Sequence, residues 1–360
     1  MRENVPLASM TTLKLGGPAR RLVEIETEAD ALAAVVDCAR EKLLVLGGGS
    51  NVVIADEGFE GTVLHMATRG IDVAREARSD GRVLVTAQAG EPWDDFVSEM
   101  VARNLSGIEC LAGIPGLVGA VPMQNVGAYG QDVAETIERV RTWDRDLGRV
   151  VTFSNADCHF AYRSSVFRGR DRHVILDVTF ALHAVHVDGA SRPLHYAELT
   201  RALGIGEGQS APLSRVREIV IELRRKKGMV VDPHDPDTRS AGSFFTNPIL
   251  DAPALDALRT RIDPLLMPTY PVADGRTKVS AAWLIEHAGF KKGWGRGPVA
   301  ISRKHALALT NRGGATTHEL LALAREVRDG VHSRFGVLLE HEPVLVGVAL
   351  EHVYQPSRAN

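Results

Sequence analysis

Four stretches of the chain carry residues that could do chemistry, three of them with glycines that let a backbone approach a ligand. In "VLGGGSNVVIAD" (45–56) Gly47, Gly48, Gly49, Ser50 and Asn51 follow an apolar run. Consecutive glycines let amide groups converge on a diphosphate, and Ser50 and Asn51 add donors. The stretch is neither G-x-G-x-x-G nor G-x-x-x-x-G-K-[ST], and a tight strand-to-strand turn would account for the same residues. "LAGIPGLVGAVPMQNVGAYGQDV" (111–133) holds five glycines and two prolines among apolar residues. It suits a backbone pressed against a flat ligand, or a buried irregular connection. In "CHFAYRSSVF" (158–167) Arg163 stands among Phe160, Tyr162, Val166 and Phe167. A guanidinium there pairs with carbonyls or awaits an anion. In "SAGSFFTNP" (240–248) Ser243 follows Gly242 and precedes two phenylalanines. It is a proton-donor or nucleophile candidate, or a turn serine bonding its own backbone. No G-x-S-x-G elbow surrounds it, so acyl-transfer hydrolysis is not supported.

The elements that must position these residues are readable in outline. "RLVEIET" (21–27) reads as a strand. Thr27 and Asp30 box the start of a helix over 28–40, with Leu32, Val35, Val36 and Ala39 on one face. "LLVL" (43–46) and "GTVLHM" (61–66) are further strands. The first glycine loop thus leaves a strand end, where open α/β sheets bind ligands. "RVLVTAQAG" (82–90) alternates, "EPWDDFVSEMVARNL" (91–105) is an amphipathic helix, and 137–153 reads as a hairpin turning near Asp146–Gly148. "HVILDVTFALH" (173–183) alternates again, and 212–228 is a helix with a basic end. The Pro/Asp-rich loop 229–242 reads as a boundary. Beyond it, "SAAWLIEHAG" (280–289) is a helix with Ala281, Leu284, Ile285 and Ala288 on one face, stopped by Gly289. Thr316 and Glu319 box another helix carrying Leu320, Leu323, Val327 and Val331. The segment 338–350 reads as one or two strands.

The chain has 360 residues, 44% hydrophobic and 24% charged, with a net charge of −3. That is the composition of a soluble globular protein of two or three domains, and it gives no case for nucleic acid as a partner. Cys38, Cys110 and Cys158 are scattered and odd in number, which indicates neither a disulfide framework nor a zinc site and fits a reducing cytoplasm. The N-terminal residues lack the apolar core of a signal peptide, and no run approaches the ~18 apolar residues of a membrane span. No obligate protein partner is evident.

Taken in order, "LGGGSNVVIADEGFEGTVL", "GIPGLVGAVPMQNVGAYG", "CHFAYRSSVF", "AGSFFTNP" and "YPVADGRTKVSAAWLIEHAGFKKG" closely resemble the UDP-N-acetylenolpyruvoylglucosamine reductases, the MurB flavoenzymes of peptidoglycan synthesis. The resemblance runs from about Thr12 to Val346. It implies an α+β protein: an FAD-binding module of the vanillyl-alcohol-oxidase (PCMH) type in two α/β subdomains, plus a separate α+β substrate-binding domain. The implied division is residues 1–70 and 71–228 for the two FAD-binding subdomains and 229–335 for substrate. Residues 336–360 would return as a strand segment to the active site.

The resemblance also implies roles. Gly47, Gly48, Gly49, Ser50 and Asn51 would hold the FAD pyrophosphate. The segment with Ile114, Pro115, Gly116, Gly119, Gly127, Ala128 and Tyr129 would pack along the flavin, and Arg224 would reach the cofactor. Arg163 of Y-R-x-S, Ser243 of G-S-F-F and Glu342 of the C-terminal segment match the family's catalytic residues. Glu342 is chosen over Glu340 because the family's catalytic glutamate is the second of two. The family often reads E-V-R there, where this chain reads Glu342-Pro343-Val344. Tyr196 in "HYAEL" matches the substrate-loop tyrosine of the family's longer form. Lys227, Asn247 and Tyr270 match positions that contact the UDP moiety. The implied reaction reduces the enolpyruvyl ether of UDP-N-acetylglucosamine, with non-covalent FAD, NADPH as reductant and no metal. A flavin oxidase of the same cofactor fold and a non-catalytic UDP-sugar binder are the rival readings. The glycine loop lacks the His or Cys of a covalent flavin link, and retention of Arg163, Ser243 and Glu342 together argues for catalysis.

Overall fold

Local rules account for the start of the first helix. Thr27 accepts from the Asp30 amide and Asp30 accepts from the Thr27 amide, a complete capping box. The helix runs Glu28–Asp37, stopping short of residue 40, and buries Ala31, Ala34 and Val35. Val36, expected on the buried face, is 57% exposed, and Ala39, expected beside it, is exposed beyond the helix end. Ala31, Ala34 and Val35, at helical spacing, make the buried face instead.

The computed structural model describes residues 1–185, 189–262, 267–272 and 274–350. The last ten residues of the expected C-terminal segment lie outside these. The structure divides into two units. The first comprises Met1–Val5, Ala19–Ser50 and Glu60–Val231. One of its sheets runs in the order Arg2–Pro6, Pro18–Ile25, Phe59–Met66, Leu43–Leu46, the last two parallel. The other is antiparallel, in the order Arg149–Ser154, Ile137–Asp144, His173–Ala184, Arg82–Gln88, Ile71–Val73. Arg82–Gln88 alternates in burial, as the sequence suggests. His173–Ala184 does not: its run from Val174 to Leu182 is buried throughout, because the strand is central and covered on both faces. Helices Trp93–Ala102, Ala197–Leu203 and Leu213–Lys226 also belong to the unit. Trp93, Phe96 and Phe180 meet in its core with ring centroids 5.1–5.9 Å apart. Each such ring contributes about 1.5–3 kcal/mol by leaving water.

The second unit comprises Pro6–Pro18, Asn51–Phe59 and the described residues from Asp232 onward. Its long helix, Thr317–Phe335, opens with the Thr316–Glu319 capping box and ends at Gly336 with φ +73°. It buries Leu320, Leu323, Val327 and Val331. The early pieces of chain are held in this unit by specific bonds. Val52–Ile54 pairs in parallel with Val344–Val346, Asn311 Nδ2 donates to the Leu13 carbonyl at 3.0 Å, and Asp56 accepts the Thr317 and His318 amides. Within 338–350 there is one strand, Val344–Val346, preceded by a single bridge between His341 and Phe245. Among the described residues no helix is long and apolar enough to cross a membrane.

Candidate active site

In the first unit two glycine-bearing loops lie back to back. Gly47, Gly48 and Gly49 leave the strand Leu43–Leu46, and Gly49 has φ +59°. Ser50 Oγ donates to the Pro115 carbonyl at 2.9 Å. A Cβ on Gly48 would lie 2.9 Å from Gly116 Cα, and one on Gly47 would touch Leu117. Gly119 is pressed on Ala89, where an added Cβ would stand 2.6 Å from the alanine Cβ. These are backbone approaches that side chains would fill. Ile114 packs against the unit's core.

The same segment ends in a tight hairpin. Gly127 pairs with Asp132 and Ala128 with Gln131. Tyr129 (φ +49°) and Gly130 (φ +86°) form the turn, both left-handed as two-residue hairpins prefer. Asn125, at φ +48°, donates to the Ala161 carbonyl and accepts the Ala134 amide. Ser165 Oγ donates to the Met123 carbonyl at 2.7 Å. Together these bonds fasten the Arg163 turn to the flavin-segment candidate. Arg163 itself has φ +51° between the bridged pair Ala161 and Ser164. Its Nη2 donates to the Gly127 carbonyl at 2.9 Å.

Tyr129 meets the edge of Tyr196 at 5.3 Å between centroids, and Lys227 Nζ lies 5.6 Å from the Tyr129 ring centre. Lys227 also pairs with Glu198, two residues beyond Tyr196. Burial raises the Tyr129 phenol above its ordinary value, partly offset by Arg224. Arg224 Nη2 donates to the Met229 carbonyl at 2.9 Å, while its Nε is buried without a hydrogen-bond partner. Burial pushes this guanidinium down to about 10, against the pull of Tyr129 and Asp94. All three cysteines are buried, and burial pushes the Cys158 thiol up to about 12, which leaves that thiol a poor nucleophile.

The second unit holds Asn51, Ser243, Asn247, Tyr270 and Glu342. The Glu342 amide donates to the Phe244 carbonyl at 2.9 Å, and the Thr246 amide to the Glu340 carbonyl at 3.0 Å. The Ser243 and Glu342 segments therefore run side by side. Pro343 stands just before the strand Val344–Val346, whose first amide donates to the Asn51 carbonyl at 3.0 Å. A proline is tolerated there because it precedes the ladder. Asn247 Oδ1 accepts the Ala281 amide at 2.9 Å, at the start of helix Ala281–His287. Tyr270 is exposed on a small sheet, with Lys278 Nζ 5.7 Å from its ring centre.

Some contacts at these residues escape sequence reading. Ser243 Oγ lies 3.5 Å from His305 Nε2, a pairing across a long sequence gap with no local signal. Asn125 and Glu198 stand inside motifs that were singled out, but only their partners reveal their use.

Comparison with known proteins gives these residues their context. A sequence model of the FAD binding domain matches residues 19–154. A model of the UDP-N-acetylenolpyruvoylglucosamine reductase C-terminal domain matches residues 233–346. The UDP-N-acetylenolpyruvoylglucosamine reductase of Thermobifida fusca is 55% identical over 354 residues, 96% of this chain and 98% of that one. Its counterpart in Streptomyces coelicolor is 55% identical over 355 residues, 96% of this chain and 90% of that one. A crystal structure of the Thermus caldophilus enzyme superposes with a TM-score of 0.64, covering 95% of this chain and 97% of that one at 24% identity, a likeness of fold. An α+β chain that joins an FAD-binding module to this C-terminal domain, and matches such relatives along nearly its whole length, belongs to the UDP-N-acetylenolpyruvoylglucosamine reductase family, FAD-dependent oxidoreductases that act on an enolpyruvyl group in peptidoglycan synthesis.

Proposed function

We propose that the chain uses NADPH to reduce UDP-N-acetylglucosamine enolpyruvate to UDP-N-acetylmuramate in the cytoplasm, with FAD bound non-covalently. The observation that carries this reading is the backbone pairing of the Ser243 and Glu342 segments, which supports a proton donor and a carboxyl group serving the same reaction. The first unit would bind FAD and the part of the chain from residue 229 would bind the UDP-sugar. The residues present fit the cofactor. Gly48 approaches Gly116 as closely as only glycine allows, Gly47 lies against Leu117, and Gly116 approaches Ser50; Gly49 would join them on the pyrophosphate, and Arg224 keeps a buried Nε without a partner. Asn51, Ile114, Pro115, Gly119, Gly127, Ala128 and Tyr129 would complete the contacts.

When bound, FAD supplies hydride transfer from NADPH to the terminal vinyl carbon. The protein's own residues handle the charge that follows. Arg163, steadied by the Gly127 carbonyl, would grip the substrate carboxylate, where negative charge grows as an enolate. Glu342 would polarise the same end, held protonated or tightly hydrogen-bonded. Ser243 would then give its Oγ proton to the enolate carbon, whose electron pair forms the new C–H bond. Tyr196, Lys227, Asn247 and Tyr270 would hold the UDP-sugar.

Ser243→Ala tests the reading. NADPH oxidation involves no carbon protonation, so flavin bleaching by NADPH in stopped flow should be nearly unchanged. Reoxidation by the UDP-sugar should slow by ~10²–10³-fold or more, the scale of one lost donor to developing charge. Near-normal reoxidation would remove Ser243 from the mechanism.

A further inference from the structure

We propose that His305 is a positioning residue for the proton donor, its Nε2–H donating to Ser243 Oγ. The inference rests on the proposed role of Ser243. The two atoms lie 3.5 Å apart, and the tautomer decides which group donates. If the serine hydroxyl donated to Nε2, its proton would be aimed at the imidazole and would be lost to substrate. With Nε2–H as donor, the serine proton stays free to point at the enolate carbon.

The second tautomer also makes the hydroxyl a stronger acid. As the Oγ–H bond breaks and the C–H bond forms, the electron pair left on Oγ becomes an anion. A ready N–H beside it stabilises that charge, and the oxygen later regains a proton from solvent. A long contact at rest tightens as the charge appears.

The surrounding chain is built to hold the turn that carries the ring in place. His305 sits in a turn between the strands Val299–Ile301 and Leu309–Asn311. The turn is closed by Ser302 N–H to the Ala308 carbonyl at 2.8 Å and Ala308 N–H to the His305 carbonyl at 3.2 Å. The Ser302 hydroxyl accepts the Lys304 amide at 3.0 Å. Asp237 accepts the Arg303 amide at 3.0 Å, and Asp235 pairs with Lys304. On the far side the Phe244 amide donates to the Leu307 carbonyl at 2.7 Å. The residue after the serine is thus bonded to the turn that carries the histidine. Such anchoring on both flanks is the support that a precisely aimed donor needs.

The test uses the holoenzyme and separates the two half-reactions by stopped flow. His305→Leu removes the donor, while His305→Gln offers an amide N–H at a similar reach. His305→Leu should slow reoxidation by the UDP-sugar about ten- to a hundredfold, less than loss of the donor itself, because it acts through Ser243. Flavin reduction by NADPH and the KM for the UDP-sugar should be unchanged, which also certifies the fold. His305→Gln should recover most of the rate, and Ser243→Ala/His305→Leu should be no slower than Ser243→Ala. Normal reoxidation in His305→Leu beside a slow Ser243→Ala overturns the proposal and leaves Ser243 as the acid. Equal slowing of both half-reactions in the Leu and Gln variants overturns it in favour of a structural role. Normal reoxidation in Ser243→Ala overturns the underlying reading instead.

Discussion

Gly48→Ala probes the closest approach between the two loops proposed to hold the cofactor. The added Cβ would stand 2.9 Å from Gly116 Cα, 3.5 Å from its N and 3.6 Å from its C. Carbon atoms rest about 3.5–4.0 Å apart, so the two loops must part by roughly an ångström. The neighbour is backbone, and the loops are further joined by the Ser50–Pro115 hydrogen bond, so no side chain can swing aside. Overpacking of this kind costs about 1–3 kcal/mol. If the parted loops can no longer converge on the diphosphate, that cost appears as FAD affinity lost by ~5- to 150-fold, at about 1.4 kcal/mol per tenfold. Titration of the apoprotein by quenching of flavin fluorescence measures it, with thermal melting of the apoprotein alongside. Gly206→Ala is the control, because its Cβ would meet only the Gln209 side chain, at 3.5 Å or more. An unchanged FAD Kd with a lowered apoprotein Tm would refute the reasoning by making the loop contact structural alone. Unchanged values of both would show that the loops have slack.

Two further outcomes are expected. Lys227→Ala should raise the KM for the UDP-sugar at least about tenfold with little change in kcat, since Lys227 is proposed to bind the UDP end; an unchanged KM would take Lys227 out of the substrate site. Asp144, 1% exposed, is held down to about 2 by Arg172 and by the Leu147 and Asp146 amides, against the opposing push of burial. A carboxyl group depressed in the folded state adds stability above its unfolded value near 3.9 and loses it as pH falls toward 2. Arg172 is partly exposed, so water screening leaves about 1–2 kcal/mol. Asp144→Asn should therefore flatten the fall of Tm between about pH 4 and pH 2, and a fall as steep as the wild type's would contradict the assignment.

What was readable in advance follows the range of each interaction. The Thr27–Asp30 and Thr316–Glu319 boxes span three residues, and both stand as expected. The hairpin of 137–153 was readable for the same reason. Val36 and His173–Ala184 were misjudged because burial depends on what covers a face, which periodicity alone does not tell. The family was legible because its motifs are long and ordered. The contacts that make those motifs work were not. Gly48 meets Gly116, Asn125 meets Ala161, and Ser243 meets His305, each through a fold that brings distant stretches together.

The parallel pair of Val52–Ile54 with Val344–Val346 also orders events in time. Synthesis runs from the N-terminus, so the early strand of the second unit leaves the ribosome long before its partner exists. Its three residues, all buried in the finished fold, must wait as an open apolar edge. Closing so long a loop is slow. The stretches of the first unit, all made by residue 231, can meanwhile assemble their sheets and core. Birth of the complete enzyme is thus timed by the last stretch of translation, and a chain cut before Val344 leaves a lasting sticky edge directly after the glycine loop.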